Sequence, residues 1–270
     1  MKTNNYTFYF MGLISVVFSV SISYGDFSYN NVDDLNLVGN ASIYQNSLRL
    51  IPAALSQAGA AWYSNKQFVE AGFETDFTFQ MTDSSYPSNG LRGDGFAFVI
   101  QNYSLVAIGG QGGRQGVSLG YDGIPNNIAI EFDTALNSRQ YQNSDDPSNN
   151  HISVQVIGAY PYQTDITNSL GYTSDIPDMT NGIHSVAIQY ANNILNVTFD
   201  NQNQPILSVP IILSNYMNLD SGKAWVGFTS GSGAGYQNQD ILNWSFTAVP
   251  EPATLLLLGL GRLLLRRRKY

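Results

Sequence analysis

The chain has no cysteine, so no disulfide staples it and no thiolate ligand or thiol nucleophile is available. Charged side chains make up only 12% of the residues, which leaves the surface to Asn, Ser, Gln and Thr and is poor material for long amphipathic helices. Two histidines are present, and neither sits in a pattern that offers a Ser-His-Asp set; His184 opens an alternating stretch and reads as a strand-end residue. Positive charge is scarcest, with 12 Lys and Arg against 20 Asp and Glu. Setting aside residues 1–25 and 250–270 removes Lys2, Arg262, Arg266, Arg267, Arg268, Lys269 and Glu251, leaving 6 basic and 19 acidic residues and a net charge of −13. Such a body repels nucleic acid and has no basic patch with which to hold it.

What is abundant belongs to strands and turns: 17 Tyr, 14 Phe and 3 Trp, with 25 Gly and 10 Pro. In Phe73-Glu74-Thr75-Asp76-Phe77-Thr78-Phe79-Gln80-Met81 the apolar side chains take alternate positions, the period of a half-buried strand. Similar runs cover 95–101, 127–133, 151–158, 184–190, 194–200, 223–229 and 243–247, separated by turn-rich stretches such as 109–116 and 143–150. About a dozen short strands without a convincing helix predict an all-β chain, a jelly-roll β-sandwich in one domain over residues 26–248; strand spacing is equally consistent with a closed barrel.

The two ends read as processing signals. Lys2, the apolar run from Phe8 to Val20 and the small residues near Gly25 form a secretory signal peptide over residues 1–25. At the other end, Pro250-Glu251-Pro252 precedes the apolar stretch Ala253–Leu265 and the cluster Arg266-Arg267-Arg268-Lys269. Thirteen residues, Arg262 among them, fall short of the ~20 apolar ones that cross a bilayer. The order of these parts resembles the PEP-CTERM sorting signal, with 249–270 as the sorting segment. That resemblance implies processing by an exosortase during export to the cell envelope, outer surface or extracellular matrix of a Gram-negative bacterium. Arg262 departs from the usual uninterrupted apolar segment.

The most chemically loaded stretch is Asn127-Ile128-Ala129-Ile130-Glu131-Phe132-Asp133. Strand geometry puts Ile128, Ile130 and Phe132 on one face and Glu131 and Asp133 on the other. Two carboxylates sharing a face repel unless a proton or cation neutralises them. Asn137, Asp146 and His151 follow, and in His151-Ile152-Ser153-Val154 the imidazole falls on the polar face, where it meets Glu131 if the two strands pair. Oxygen ligands suit Ca²⁺, and an imidazole among carboxylates suits Mn²⁺ or another transition ion. Spacing alone is equally met by a solvated strand end leading into a loose acidic loop.

Ile130-Glu131-Phe132-Asp133-Thr134, then Asn137, then Asp146-Pro147-Ser148 and His151 resembles the metal motif of the legume, or L-type, lectins. The resemblance implies a carbohydrate-binding protein whose sugar site is organised by Ca²⁺ and Mn²⁺. Glu131 and His151 would ligate the transition ion, Asp133 and Asp146 would bridge both ions, and Asn137 with the Ala135 carbonyl would complete the calcium shell. Gly93-Asp94-Gly95-Phe96 resembles the segment whose Asp, after a cis peptide bond, accepts hydrogen bonds from two sugar hydroxyls. Asn137 would add an amide N–H, and a backbone N–H would come from Gly113 or Gly116, between which the sequence does not choose. The stretch Val226–Phe246 resembles the specificity loop and last strand, so Gly235 and Tyr236 would close over the sugar. The same resemblance implies edge-to-edge pairing of sheets into a homo-oligomer.

Two departures carry weight. Family members place an aromatic ring two positions after the first metal Asp; here Ala135 stands there, and losing such a ring removes on the order of 1 kcal/mol from sugar affinity. Tyr141 and Tyr236 are the candidate replacements. The loop from Asn137 to Asp146 is also longer than in plant members. A glycoside hydrolase on the same sandwich would need Glu-x-Asp-x-x-Glu, and Leu136 occupies the last position, so the acid/base is missing and the chain reads as a non-enzyme. The remaining alternative is a structural matrix or adhesion protein that kept the fold and lost sugar binding.

Overall fold

The computed structural model describes residues 34–85, 92–110, 116, 119–137, 146–157 and 169–249. Residues 1–25, the sorting segment beyond Val249, Gly113 and Tyr141 lie outside the described residues, as does the middle of the loop from Asn137 to Asp146.

Fifteen strands follow one another without an intervening α-helix among the described residues. They are β1 (Leu35–Gly39), β2 (Ser42–Tyr44), β3 (Ser47–Ile51), β4 (Ala58–Tyr63), β5 (Gln67–Phe68), β6 (Phe73–Thr82), β7 (Gly95–Gln101) and β8 (Asn127–Asp133). After these come β9 (His151–Ile157), β10 (Ser169–Thr173), β11 (Ile183–Ala191), β12 (Ile194–Phe199), β13 (Leu207–Pro210), β14 (Lys223–Gly231) and β15 (Asn238–Ala248). Two antiparallel sheets result: β1-β4-β14-β7-β8-β9-β10, with β5 attached to β14, and β13-β12-β11-β6-β15-β3-β2. Neighbours in space are mostly distant in sequence, as a jelly roll requires, and the barrel alternative falls away because the sheets do not close on each other.

The sheets differ in how many faces they bury. In β6 the pattern alternates strictly, with Phe73, Thr75, Phe77, Phe79 and Met81 inward and charged or polar residues outward. The inward rings of both sheets interdigitate: Phe77 meets Phe228 and Phe79 meets Phe96, each edge-on at 5.0 Å, while Phe96 stacks on Phe132 of the next strand at 4.8 Å. Offset and edge-on arrangements of this kind suit the ring quadrupole. By contrast, every residue of β7 and β8 is buried. Their outward face is covered by the segment between β7 and β8, whose Ala107, Leu119, Tyr121 and Ile124 form a second apolar cluster with Ala60, Trp62, Ala97, Val99 and Ala129. Glu131 and Asp133 sit on this covered face, so the solvated strand end does not apply: both carboxylates are buried.

Candidate functional site

The register across the larger sheet assembles one row. Gly231 of β14 stands opposite Gly95 of β7, Gly95 opposite Asp133 of β8, and Asp133 opposite His151 of β9. Strand ends that are remote in sequence are thus brought to one end of the sheet, and the loops leaving them converge there. Two residue pairs further in, on the same face, Glu131 stands opposite Ser153, and two beyond that Ala129 stands opposite Gln155.

Asp133, Asp146 and His151 come together: a carboxylate oxygen from each Asp and a ring nitrogen of His151 lie within 4.8 Å of one another. Asp133 Oδ1 accepts the Ala135 N–H at 2.7 Å, and Asp146 Oδ2 accepts the Asn137 N–H at 2.7 Å. The loop is tied back further by the Asp146 N–H donating to the Asn137 carbonyl at 3.1 Å. His151 Nδ1 lies 3.0 Å from the Ser148 carbonyl. A carbonyl only accepts, so Nδ1 carries the proton and the lone pair left for ligation is on Nε2. Burial lowers the His151 pKa to about 4, so the ring stays neutral near pH 7 and brings no positive charge to its two acidic neighbours. Asp133 is held well above the usual carboxylate range by burial first and then by the charges of Asp146, Glu131 and Asp94. Two carboxylates and a neutral imidazole with one free lone pair form a donor set that suits a divalent cation.

Glu131 does not join this group. Its two carboxylate oxygens accept the Tyr121 hydroxyl, the Ser153 hydroxyl at 2.5 Å and the Gln155 amide at 3.1 Å. The sequence-based pairing of His151 with Glu131 is corrected by the register: the strands pair, but His151 lands opposite Asp133 and Ser153 takes the place opposite Glu131. Burial raises the Glu131 pKa, and the Ser153, Tyr121 and Gln155 hydrogen bonds oppose that rise.

Asp94 stands on the adjacent loop, joined to Gly93 by a cis peptide bond, as the family motif implied. Its carbonyl accepts the Thr134 N–H at 2.8 Å and the Thr134 hydroxyl at 3.0 Å, which couples this loop to the residue after Asp133. Gln237 donates to the same hydroxyl at 2.8 Å. The Asp94 carboxylate accepts a backbone hydrogen bond from Gly233, and burial raises its pKa to about 7. Of the two glycines left open by the sequence, Gly116 lies against this carboxylate: a Cβ there would sit 1.6 Å from Asp94 Oδ2. Only hydrogen at that position permits so close an approach. Gly235 lies against Gly93, and the Tyr236 N–H donates to the Ser85 hydroxyl at 3.0 Å, so the specificity loop rests on the Asp94 loop. Ala135 is 1% exposed while Leu136 beside it is 54% exposed, so no ring is offered at the stacking position.

Sequence reasoning missed Tyr121, Ser153, Gln155, Thr134 and Gly233. Ser153 and Gln155 carried a readable signal, since they share the His151 face of β9 by period two. Tyr121 carried none, because it arrives from a loop.

A jelly-roll sandwich whose converging loops carry a buried aspartate, close glycines and a cation-ready acid pair is the architecture of a carbohydrate-binding lectin. The legume lectin domain description matches residues 19–256, and the PEP-CTERM protein-sorting motif matches residues 248–269. The chain belongs to the legume lectin domain family and carries that sorting motif at its C-terminal end. The L-type lectin-domain containing receptor kinase I.7 of Arabidopsis thaliana is 27% identical over 261 residues, which cover 88% of this chain and 37% of the kinase. This chain spans 27–37% of the length of such receptor kinases, and their kinase activity is not this chain's. The lectin of Pisum sativum is 29% identical over 232 residues, covering 79% of this chain and 78% of the pea protein. The VIP36 exoplasmic/lumenal domain, solved in a Ca²⁺/Man-bound form, superposes with a TM-score of 0.62 at 20% identity, covering 81% of this chain and 84% of that one, and attests the fold. The family binds carbohydrate without transforming it, and the chain is not an enzyme.

Proposed function

We propose that the chain is an exported lectin that binds extracellular polysaccharide or glycans at the end of the sheet where Asp94, Gly116, Asn137, Gly235 and Tyr236 converge, with the site organised by a bound cation. The observation that carries this reading is the group Asp133, Asp146 and His151, whose Asp133 is next in sequence to Thr134 and its hydrogen bonds to Asp94. Uncompensated, the buried Asp133 carboxylate and the half-buried Asp146 carboxylate repel beside a neutral imidazole; a divalent cation would neutralise them and fix the Asp133–Asn137 turn. Asp133, Asp146 and His151 would ligate it, with Asn137 and the Ala135 carbonyl as further calcium ligands. Ca²⁺ and Mn²⁺ are the ions the donor set favours. The turn would then hold Asn137 toward the sugar, while Asp94 accepts hydrogen bonds from two hydroxyls.

The sorting motif supports export toward the cell envelope or extracellular matrix of a Gram-negative bacterium, with the signal peptide removed and the tail handled by exosortase-type machinery. The test is glycan-array binding of the purified chain with EDTA and after restoring Ca²⁺. Binding that vanishes on chelation and returns with Ca²⁺ supports the reading; the same glycan signal in both conditions contradicts the cation's part in it. Buried Ala135 favours a second reading, a matrix or adhesion protein without sugar affinity, for which the array stays blank in every condition while Ca²⁺ still raises the melting temperature.

A further inference from the structure

The legume lectin resemblance implies two ions in one centre, with Glu131 a ligand of the transition ion. The residues do not fit that arrangement. Glu131 and Asp133 lie on one strand and one face, two residues apart. A carboxylate offers about four lone-pair sites; donors fill about three of those on Glu131, and ligation through the one left on Oε1 competes with the strong donor already seated on that oxygen. On Glu131, Oε1 takes the Tyr121 hydroxyl, while Oε2 takes both the Ser153 hydroxyl and the Gln155 amide. The donors are themselves linked, since Gln155 Nε2 also donates to Ser153 Oγ at 3.0 Å. All four side chains are buried, at 3% exposure or less, so water does not relieve the donors if Glu131 swings away. Turning Glu131 toward Asp133 would strand the buried Tyr121 and Ser153 hydroxyls, each at the cost of an unmade hydrogen bond, and leave the Gln155 amide with Ser153 Oγ alone.

We propose that this chain holds a single cation per domain, liganded through Asp133, Asp146 and His151, and that Glu131 stands outside its shell because Tyr121, Ser153 and Gln155 occupy its carboxylate. In this arrangement Glu131 is a positioning residue. It fastens the loop carrying Tyr121 to β8 and β9, and so roofs the strand on which the cation's ligands stand. Ca²⁺ and Mn²⁺ then compete for one place instead of filling two.

The proposal rests on the cation reading above, and the two fail differently. Full-length protein stripped with EDTA is dialysed against Ca²⁺ alone, Mn²⁺ alone and both together, with bound metal counted by mass spectrometry and Mn²⁺ followed by its electron spin resonance. The expected result is one equivalent in every condition, with Ca²⁺ displacing Mn²⁺. Two equivalents from the mixture overturn the single-cation proposal and leave the cation reading intact; no bound metal overturns the cation reading itself. In Glu131→Gln, one equivalent with affinity within about threefold of the parent is expected, and a larger loss of affinity restores Glu131 to the shell. The wild-type competition needs no variant, so it decides the matter even if Glu131→Gln fails to fold.

Discussion

Glu131 and Asp133 share a strand, a face and a degree of burial, yet they meet opposite company. Glu131 is surrounded by donors: a tyrosine hydroxyl, a serine hydroxyl and a glutamine amide. Among the described residues Asp133 has one hydrogen-bond donor, the Ala135 N–H, and otherwise faces Asp146, a neutral His151 and the field of Asp94. The difference arises on the neighbouring strand, where Ser153 stands opposite the first and His151 opposite the second. Two residues along β9 therefore decide which carboxylate is satisfied by protein donors and which is left beside a second acid. Buried acids are tolerated in both cases, by two different devices.

The sharpest way to break this contrast is to remove the acid with fewer donors. Asp133→Asn should abolish cation binding and, with it, glycan binding. At a cation concentration a hundred times the dissociation constant, a single site stabilises by about 2.7 kcal/mol. For a domain of this size that is roughly 5–10 °C of melting temperature, and differential scanning fluorimetry with Ca²⁺ and with EDTA should show this increment in the parent and none in Asp133→Asn. An undiminished Ca²⁺ increment in the variant would remove Asp133 from the centre.

Next in size is Asp94→Asn, which separates sugar from cation. Glycan binding should fall at least about tenfold, the scale of losing a hydrogen bond to a charged acceptor, while the Ca²⁺ increment remains. This residue also gives a pH signature. Its pKa is raised to about 7 from an ordinary 3.8, so the folded state takes up its proton more readily than the unfolded state. The associated stability is complete below the unfolded value and is lost as pH climbs through about 7. In EDTA, the melting temperature of the parent should decline between pH 4 and 7 more steeply than that of Asp94→Asn. Glycan affinity should run the other way, rising with pH through the same window because the sugar hydroxyls need the ionised acceptor. Parallel melting curves for parent and variant would contradict the assignment of this titration to Asp94.

Much of this contrast was legible in the sequence and some was not. Period-two alternation located β6, β7, β8, β9, β11 and β12 almost to the residue, because each buries at least one full face. The short strands β2, β5 and β13 left no such trace. Asp133, Asp146 and His151 stood out by residue type, and the structure brings them together. The fate of Glu131 did not stand out, because it depends on register and on a loop residue. Alternation fixes which face a side chain takes but not which partner stands across from it. Burial of β7 and β8 on both faces was hidden for a similar reason: the covering cluster comes from the segment after β7, whose turns look solvent-facing in sequence.

The donor side of the contrast is tested by Tyr121→Phe, which keeps the ring in its apolar cluster and deletes only the hydroxyl on Glu131 Oε1. An acceptor left unsatisfied in a buried site costs about 1–3 kcal/mol, so urea unfolding should shift by that amount while the Ca²⁺ increment stays at the parent's value. A loss of the increment in this variant would tie Glu131 to the cation after all.

The smallest effect belongs to the outer face of the other sheet, where an acid has neither device. Asp76 of β6 lies beside Glu74 on the outward face, and burial, followed by the Glu74 charge, raises its pKa. Solvent screens this repulsion, so Asp76→Asn should change stability by no more than about 0.5 kcal/mol, in the stabilising direction at pH 7. The sign follows from linkage: a raised carboxylate pKa means stability is lost as pH rises past it, and the amide has no proton to lose. Urea midpoints at pH 4 and pH 7 should therefore coincide more nearly between variant and parent at the lower pH. A destabilisation of 1 kcal/mol or more would show that Asp76 is held by a partner, as Glu131 is, and that the exposed acids of this sheet follow the same rule as the buried ones.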